Sequence, residues 1–106
     1  MRILRREGYE VIGASNGVEA LDTIHDRHPD LVLLDVMMPE MDGMSVLAKL
    51  RQEPETADLP VILITALSDE KRMNRARELG ARDYLVKSQF SYDDLLDRVG
   101  RHVLKH

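Results

Sequence analysis

Hydrophobic positions along the chain alternate between two periods. Two runs are apolar almost without interruption. Residues 31–37, Leu-Val-Leu-Leu-Asp-Val-Met, and 61–65, Val-Ile-Leu-Ile-Thr, suit strands covered on both faces of a parallel sheet. Residues 9–14 read as a further strand and 84–86 as a short one. Between them the spacing becomes helical. Over 17–28, Val18, Leu21 and Ile24 share a face beside Ala20, with Ser15 or Asn16 as cap and Pro29-Asp30 as stop. After a loop over 39–43, Met44, Leu47 and Leu50 align in a helix to about residue 52, and a third helix runs over 69–79, closed by Gly80. The cleanest stripe, Tyr92, Leu95, Leu96, Val99 and Val103, marks a last helix over 92–104. Residues 1–7 read as a short helical piece ending at Gly8.

Strands alternating with helices over short connections imply a parallel sheet with right-handed crossovers and helices on both faces. The expected fold is an open doubly wound α/β domain spanning residues 1–106. A length of 106 residues allows one compact domain, and a hydrophobic fraction of 43% supports a core. With no cysteine, a disulfide framework and thiolate chemistry are excluded. The 15 Lys+Arg against 19 Asp+Glu give a net charge of −4, no electrostatic reason to bind nucleic acid. The longest apolar runs are too short to span a bilayer, and Met-Arg-Ile-Leu-Arg-Arg lacks the apolar stretch of a signal peptide. A cytoplasmic location without membrane contact is the expectation.

Ligand sites in such sheets form at the carboxyl ends of the strands. Those ends carry Asp35, Thr65 and Lys87. A carboxylate, a hydroxyl and an ammonium are thereby expected on one rim. Asp35, set among apolar residues, loses solvation and needs a compensating partner, for which Lys87 is suited. The competing reading is a structural ion pair with Thr65 as a helix cap. Three such residues on successive strand ends favour a site.

Around these residues the chain resembles bacterial response-regulator receiver domains, the CheY-like, flavodoxin-like family. Asp35-Val36-Met37-Met38-Pro39-Glu40-Met41-Asp42-Gly43 is similar to the family's phosphoacceptor loop. Ile62-Leu63-Ile64-Thr65-Ala66 and Gly80-Ala81-Arg82-Asp83-Tyr84-Leu85-Val86-Lys87 match its later signatures in order and spacing. The resemblance implies that Asp35 takes a phosphoryl group from a phosphohistidine on a histidine kinase or phosphotransfer protein, forming an acyl phosphate. It makes Lys87 and Thr65 partners of the phosphoryl oxygens, with Ala66 leaving room for the group. Mg²⁺ would be held by Asp35 and the Met37 carbonyl, a hard ion on oxygen ligands. Pro39 and Gly43 would shape the loop. Tyr84 matches the family's switch aromatic, its ring turning inward as Thr65 moves and remodelling a face for a downstream effector. The chain is then a phosphoacceptor signalling module with no enzymatic activity beyond its own phosphorylation and dephosphorylation.

The sequence also departs from the family. Receiver domains begin with a strand ending in adjacent acidic residues, followed by a helix, and Met1 falls within what would be that helix. Asp93-Asp94 opens the last helix and reads as a cap with favourable dipole charge, while Asp42 reads as loop-shaping. Mg²⁺ binding and phosphoryl transfer are therefore expected to be weak. The absent strand is central in the family, between 9–14 and 31–37, so the expectation is rearranged pairing or strands from a second copy, as a homodimer by strand exchange or edge pairing. Ser88 follows Lys87 where the family has proline, which puts the customary cis peptide in doubt. Met37 and Leu67, both apolar, occupy the positions of the family's tuners of water access, so a slowly hydrolysing acyl phosphate is expected.

Other features read more simply. His25, His28, His102 and His106 are expected as solvated surface residues, since no acidic or thiol set completes a metal site. Lys71, Arg72, Arg75, Arg77 and Arg82 make the third helix and its exit basic, and Met37, Met38 and Met41 suit loop packing. The main rival function is a non-catalytic interaction module that keeps the fold without competent Mg²⁺ chemistry. An aspartyl-nucleophile phosphohydrolase would place a second Asp two residues after Asp35, where Met37 stands. No glycine-rich nucleotide loop is present.

Overall fold

The computed structural model describes residues 2–6, 9–14, 16–36, 42–66 and 70–103. Its strands are β1 (Arg2–Arg6), β2 (Tyr9–Ala14), β3 (Leu31–Asp35), β4 (Val61–Thr65) and β5 (Asp83–Val86). The helices are α1 (Gly17–Arg27), α2 (Gly43–Gln52), α3 (Glu70–Glu78) and α4 (Tyr92–Val103), with a 3-10 turn at Lys87–Gln89. One sheet holds the strands in the order β1-β2-β3-β4-β5. β2 to β5 are mutually parallel, and β1 is antiparallel to β2.

Each step from β2 to β5 moves one strand over in the same direction. Right-handed crossovers then bring α1, α2 and α3 to a single face. Their buried residues Ala20, Ile24, Val46, Leu47, Leu50 and Ala76 pack with Val32, Leu34, Val61 and Leu63 of the sheet. The intervening residues Leu31, Leu33 and Ile62 point to the other face, where they meet Leu85 of β5 and Val99 of α4. β3 and β4 feed two cores, which explains their unbroken apolar runs. No described helix is long and apolar enough to cross a membrane.

The helical reading of residues 1–7 is corrected, because Arg2–Arg6 form a strand with Arg2 opposite Gly13 and Arg6 opposite Tyr9. So short a helix would bear the full cost of nucleation, whereas the edge of β2 offers backbone partners along its length. Gly8 lies outside the described residues. β2 and β3 pair directly, from Val11 opposite Leu31 to Ala14 opposite Leu34, so the gap expected between them is closed within the chain. A polar clasp holds the start of this register. Glu10 N–H donates to the Asp30 carboxylate at 2.7 Å, and Asp30 N–H returns a bond to the Glu10 carbonyl at 2.8 Å. Arg27 then grips the Glu10 carboxylate with two bonds of 2.8 and 3.1 Å.

The helix ends follow their local chemistry. Asn16 Oδ1 accepts from Val18 N–H and Glu19 N–H and caps α1, while Ser15 lies outside the described residues. At the start of α4, Ser91 Oγ accepts from Asp94 N–H at 3.2 Å, and the Asp94 carboxylate accepts from Ser91 N–H at 3.0 Å. This reciprocal pair is a capping box with Asp in place of Glu, so Ser91 is the cap and Asp94 its partner. The Ser91 backbone N–H, and then its hydroxyl, hold the Asp94 carboxyl below its ordinary value. A depressed pKa in the folded state stabilises above the unfolded value and is lost as pH falls through the folded one. Urea midpoints of wild type and Asp94→Asn are therefore expected to differ most at neutral pH and to converge on acidification through the carboxylate range.

Candidate functional site at the carboxyl ends of the strands

Asp35 is the last residue of β3, Thr65 the last of β4, and Lys87 follows β5 directly. Lys87 Nζ donates to Asp35 Oδ2 at 2.6 Å. β4 lies between β3 and β5, so the lysine spans two strand spacings, roughly 10 Å, across the end of β4 to reach the carboxylate. Thr65, fully buried, ends the strand beneath that bridge. The Asp35 side chain keeps 27% exposure and Lys87 51%, so the carboxylate remains open to a donor. Ala66, next in the chain, is exposed and small.

Strand alternation sorts these side chains. Val61 and Leu63 face the helices α1 to α3, and Thr65 shares their parity. Tyr84 of β5 packs against the same core, opposite Leu63 in register. Thr65 and Tyr84 thus occupy one side of the sheet, under α3. The Tyr84 hydroxyl is buried and has no hydrogen-bond partner among the described residues.

The start of α2 approaches the site closely. Gly43 N–H donates to the Val36 carbonyl at 3.1 Å, and a Cβ at Gly43 would stand 2.6 Å from the Asp35 carbonyl oxygen. Glycine is needed there for space. Asp42 caps α2 by accepting from Ser45 N–H at 2.8 Å, in line with the loop-shaping role expected of it. Met37, Met38, Pro39, Met41 and Leu67 lie outside the described residues.

Mg²⁺ asks for six oxygen ligands in near-octahedral array. No group of three His, Cys, Asp or Glu among the described residues could hold a metal ion. Asp35 offers one carboxylate, already in contact with an ammonium. The described donors do not make a divalent-cation site. No peptide bond among the described residues is cis, as the serine after Lys87 led one to expect.

Two contacts were not foreseen from the sequence. Arg98 of α4 holds the Asp83 carboxylate with bonds of 3.0 and 2.7 Å, joining α4 to β5 one residue before Tyr84. His25 Nε2 meets the Glu53 carboxylate at 2.7 Å, both residues being partly exposed. His28 is exposed and takes a left-handed conformation, φ 49°, that ends α1.

A family model described as the response regulator receiver domain matches residues 1–100. The chain is 48% identical over 98 residues to a protein of Porphyridium aerugineum named "Probable transcriptional regulator ycf27", covering 92% of this chain and 39% of that one. It therefore spans about two fifths of that relative's length. Among solved structures, a protein of Chloroflexus aurantiacus J-10-fl described as a "putative response regulator" superposes with a TM-score of 0.78 at 36% identity, over 87% of this chain and 75% of that one. The BeF3-activated N-terminal receiver domain of Klebsiella pneumoniae RstA gives 0.74 at 34% identity, over 88% and 75%. The chain belongs to the response regulator receiver domain family.

Proposed function

We propose that the chain accepts a phosphoryl group on Asp35 from a phosphohistidine of a histidine kinase or phosphotransfer protein. Receiver domains are signalling modules of two-component systems rather than classical enzymes. The observation that carries the reading is the 2.6 Å contact between Lys87 and Asp35 above buried Thr65. In the step, an Asp35 carboxylate oxygen bonds to phosphorus as the bond from phosphorus to the donor imidazole nitrogen breaks. The nitrogen keeps the electron pair and takes up a proton. The Lys87 ammonium transfers its contact to a phosphoryl oxygen, offsetting developing negative charge, and the Thr65 hydroxyl donates to another. Receiver domains bind Mg²⁺. With a single carboxylate among the described donors, this chain holds that ion weakly.

The added group brings about −1.5 to −2 charges at neutral pH. Drawing Thr65 toward it unsettles the side of the sheet that Tyr84 shares. A buried hydroxyl without a partner costs about 1–3 kcal/mol, so the Tyr84 ring sits in a state that a small push can leave. The groove beside it, lined by Met73, Phe90, Asp94 and Arg98, lies between α3, β5 and α4 and offers the changing surface to an effector. A single domain over residues 1–106, working in the cytoplasm, is part of this proposal. A second copy would pair along β1, an edge strand of the sheet.

Incubation with acetyl phosphate and Mg²⁺ followed by intact-mass measurement tests the reading. Uptake of one phosphoryl group by the wild type and none by Asp35→Asn is expected. No uptake by either would favour the second reading, a receiver-like interaction module, for which the absence of a described metal set speaks.

A further inference from the structure

At the opposite end of the sheet, Arg51 near the end of α2 donates to four main-chain carbonyls. Nε reaches Leu79 at 2.8 Å, Nη1 reaches Thr56 at 3.0 Å, and Nη2 reaches Leu59 at 2.9 Å and Gly80 at 3.1 Å. Two of these belong to the end of α3 and two to the connection from α2 to β4. Burial, and then the nearby Arg82, push the Arg51 pKa down. A guanidinium nevertheless stays charged, and the carbonyls replace its lost water.

The end of α3 is closed with care. Gly80, at φ +77°, donates to the Arg77 carbonyl, and Ala81 N–H donates to the Ala76 carbonyl, the paired bonds of a Schellman motif. The carbonyls of Leu79 and Gly80, which follow in the turn, are the ones Arg51 takes. A Cβ at Gly80 would stand 3.2 Å from Arg51 Nε, so the glycine also makes room for the clamp. Ala76 is the buried residue described in this helix, while Glu70 and Lys71 are exposed.

We propose that Arg51 anchors the C-terminal end of α3, so that the helix pivots there and its N-terminal end, nearest Thr65, carries the movement. The direction of that movement rests on the phosphoacceptor reading of Asp35, but the anchor does not. Arg51 acts through main-chain carbonyls and is a positioning residue.

Hydrogen exchange of the whole chain tests it, with Arg51→Met and Arg51→Lys beside wild type. In the unmodified protein, Arg51→Met should speed exchange at Leu79, Gly80 and Ala81 by about tenfold or more, with β4 amides changing by less than about twofold. Arg51→Lys, which can still meet some of the carbonyls, should recover part of the protection. Unchanged exchange at Leu79 to Ala81, or an equal rise in β4, would overturn the anchor and leave Arg51 contributing general stability alone. After acetyl phosphate, changes in wild-type α3 should be confined to its N-terminal half and should extend through Ala81 in Arg51→Met. Changes spanning the whole of α3 in wild type would overturn the pivot. Absence of the phosphoryl mass would count against the Asp35 reading and not against the anchor, which the unmodified protein decides.

Discussion

Replacing Lys87 by Ala is expected to slow phosphoryl uptake at Asp35 by about 10²–10³-fold, the loss typical when one preorganised partner of a developing charge is removed. The fold should hardly notice. Lys87 is half exposed, and surface ion pairs of this kind contribute about 0–1 kcal/mol. A time course of intact mass with acetyl phosphate reads the first effect, and urea unfolding reads the second. A variant that lost much stability with an unchanged rate would make the contact with Asp35 a structural ion pair, the competing reading of these residues.

Gly43→Ala carries the second large effect, and here structure and chemistry fall together. Its new Cβ would meet the Asp35 carbonyl oxygen at 2.6 Å and the Asp35 carbonyl carbon and Val36 Cα at 3.1 Å. All are main-chain atoms at the end of a central strand and cannot swing away. Alanine's better helix propensity recovers at most about 1 kcal/mol, whereas overpacking of this sort costs about 1–3 kcal/mol and occasionally more. A lower urea midpoint is expected, together with slower phosphoryl uptake as α2 pushes the end of β3 out of place. Wild-type values for both would show that the approach relaxes without consequence.

Much of this was legible in the sequence because burial on two faces leaves little freedom. Residues 61–65 emerge as a strand with the bounds expected of them, and the second helix begins at Gly43, one residue earlier than expected, since each has a strong period and clear stops. Asp35 and Lys87 could be paired before any coordinates, because consecutive strand ends in a parallel sheet share a rim. Residues 1–7 failed for the opposite reason. Arg-Ile-Leu-Arg-Arg fits either period, and the open edge of β2, a tertiary fact, decided between them. Arg51 was not legible. On its helix it is one more basic residue, and its carbonyl partners lie 5 to 29 residues away. Backbone acceptors leave no mark in side-chain patterns. Asp83 and Arg98, 15 residues apart on different elements, are similar.

The most direct measurement is chemical trapping. Borohydride reduces an acyl phosphate to an alcohol, so a phosphorylated Asp35 becomes homoserine, which tandem mass spectrometry can locate after acetyl phosphate treatment. Homoserine at position 35, and its absence in a sample without acetyl phosphate, is the predicted result. Homoserine at another aspartate, or none in a protein shown to be folded, would contradict the assignment of Asp35 as the phosphoacceptor.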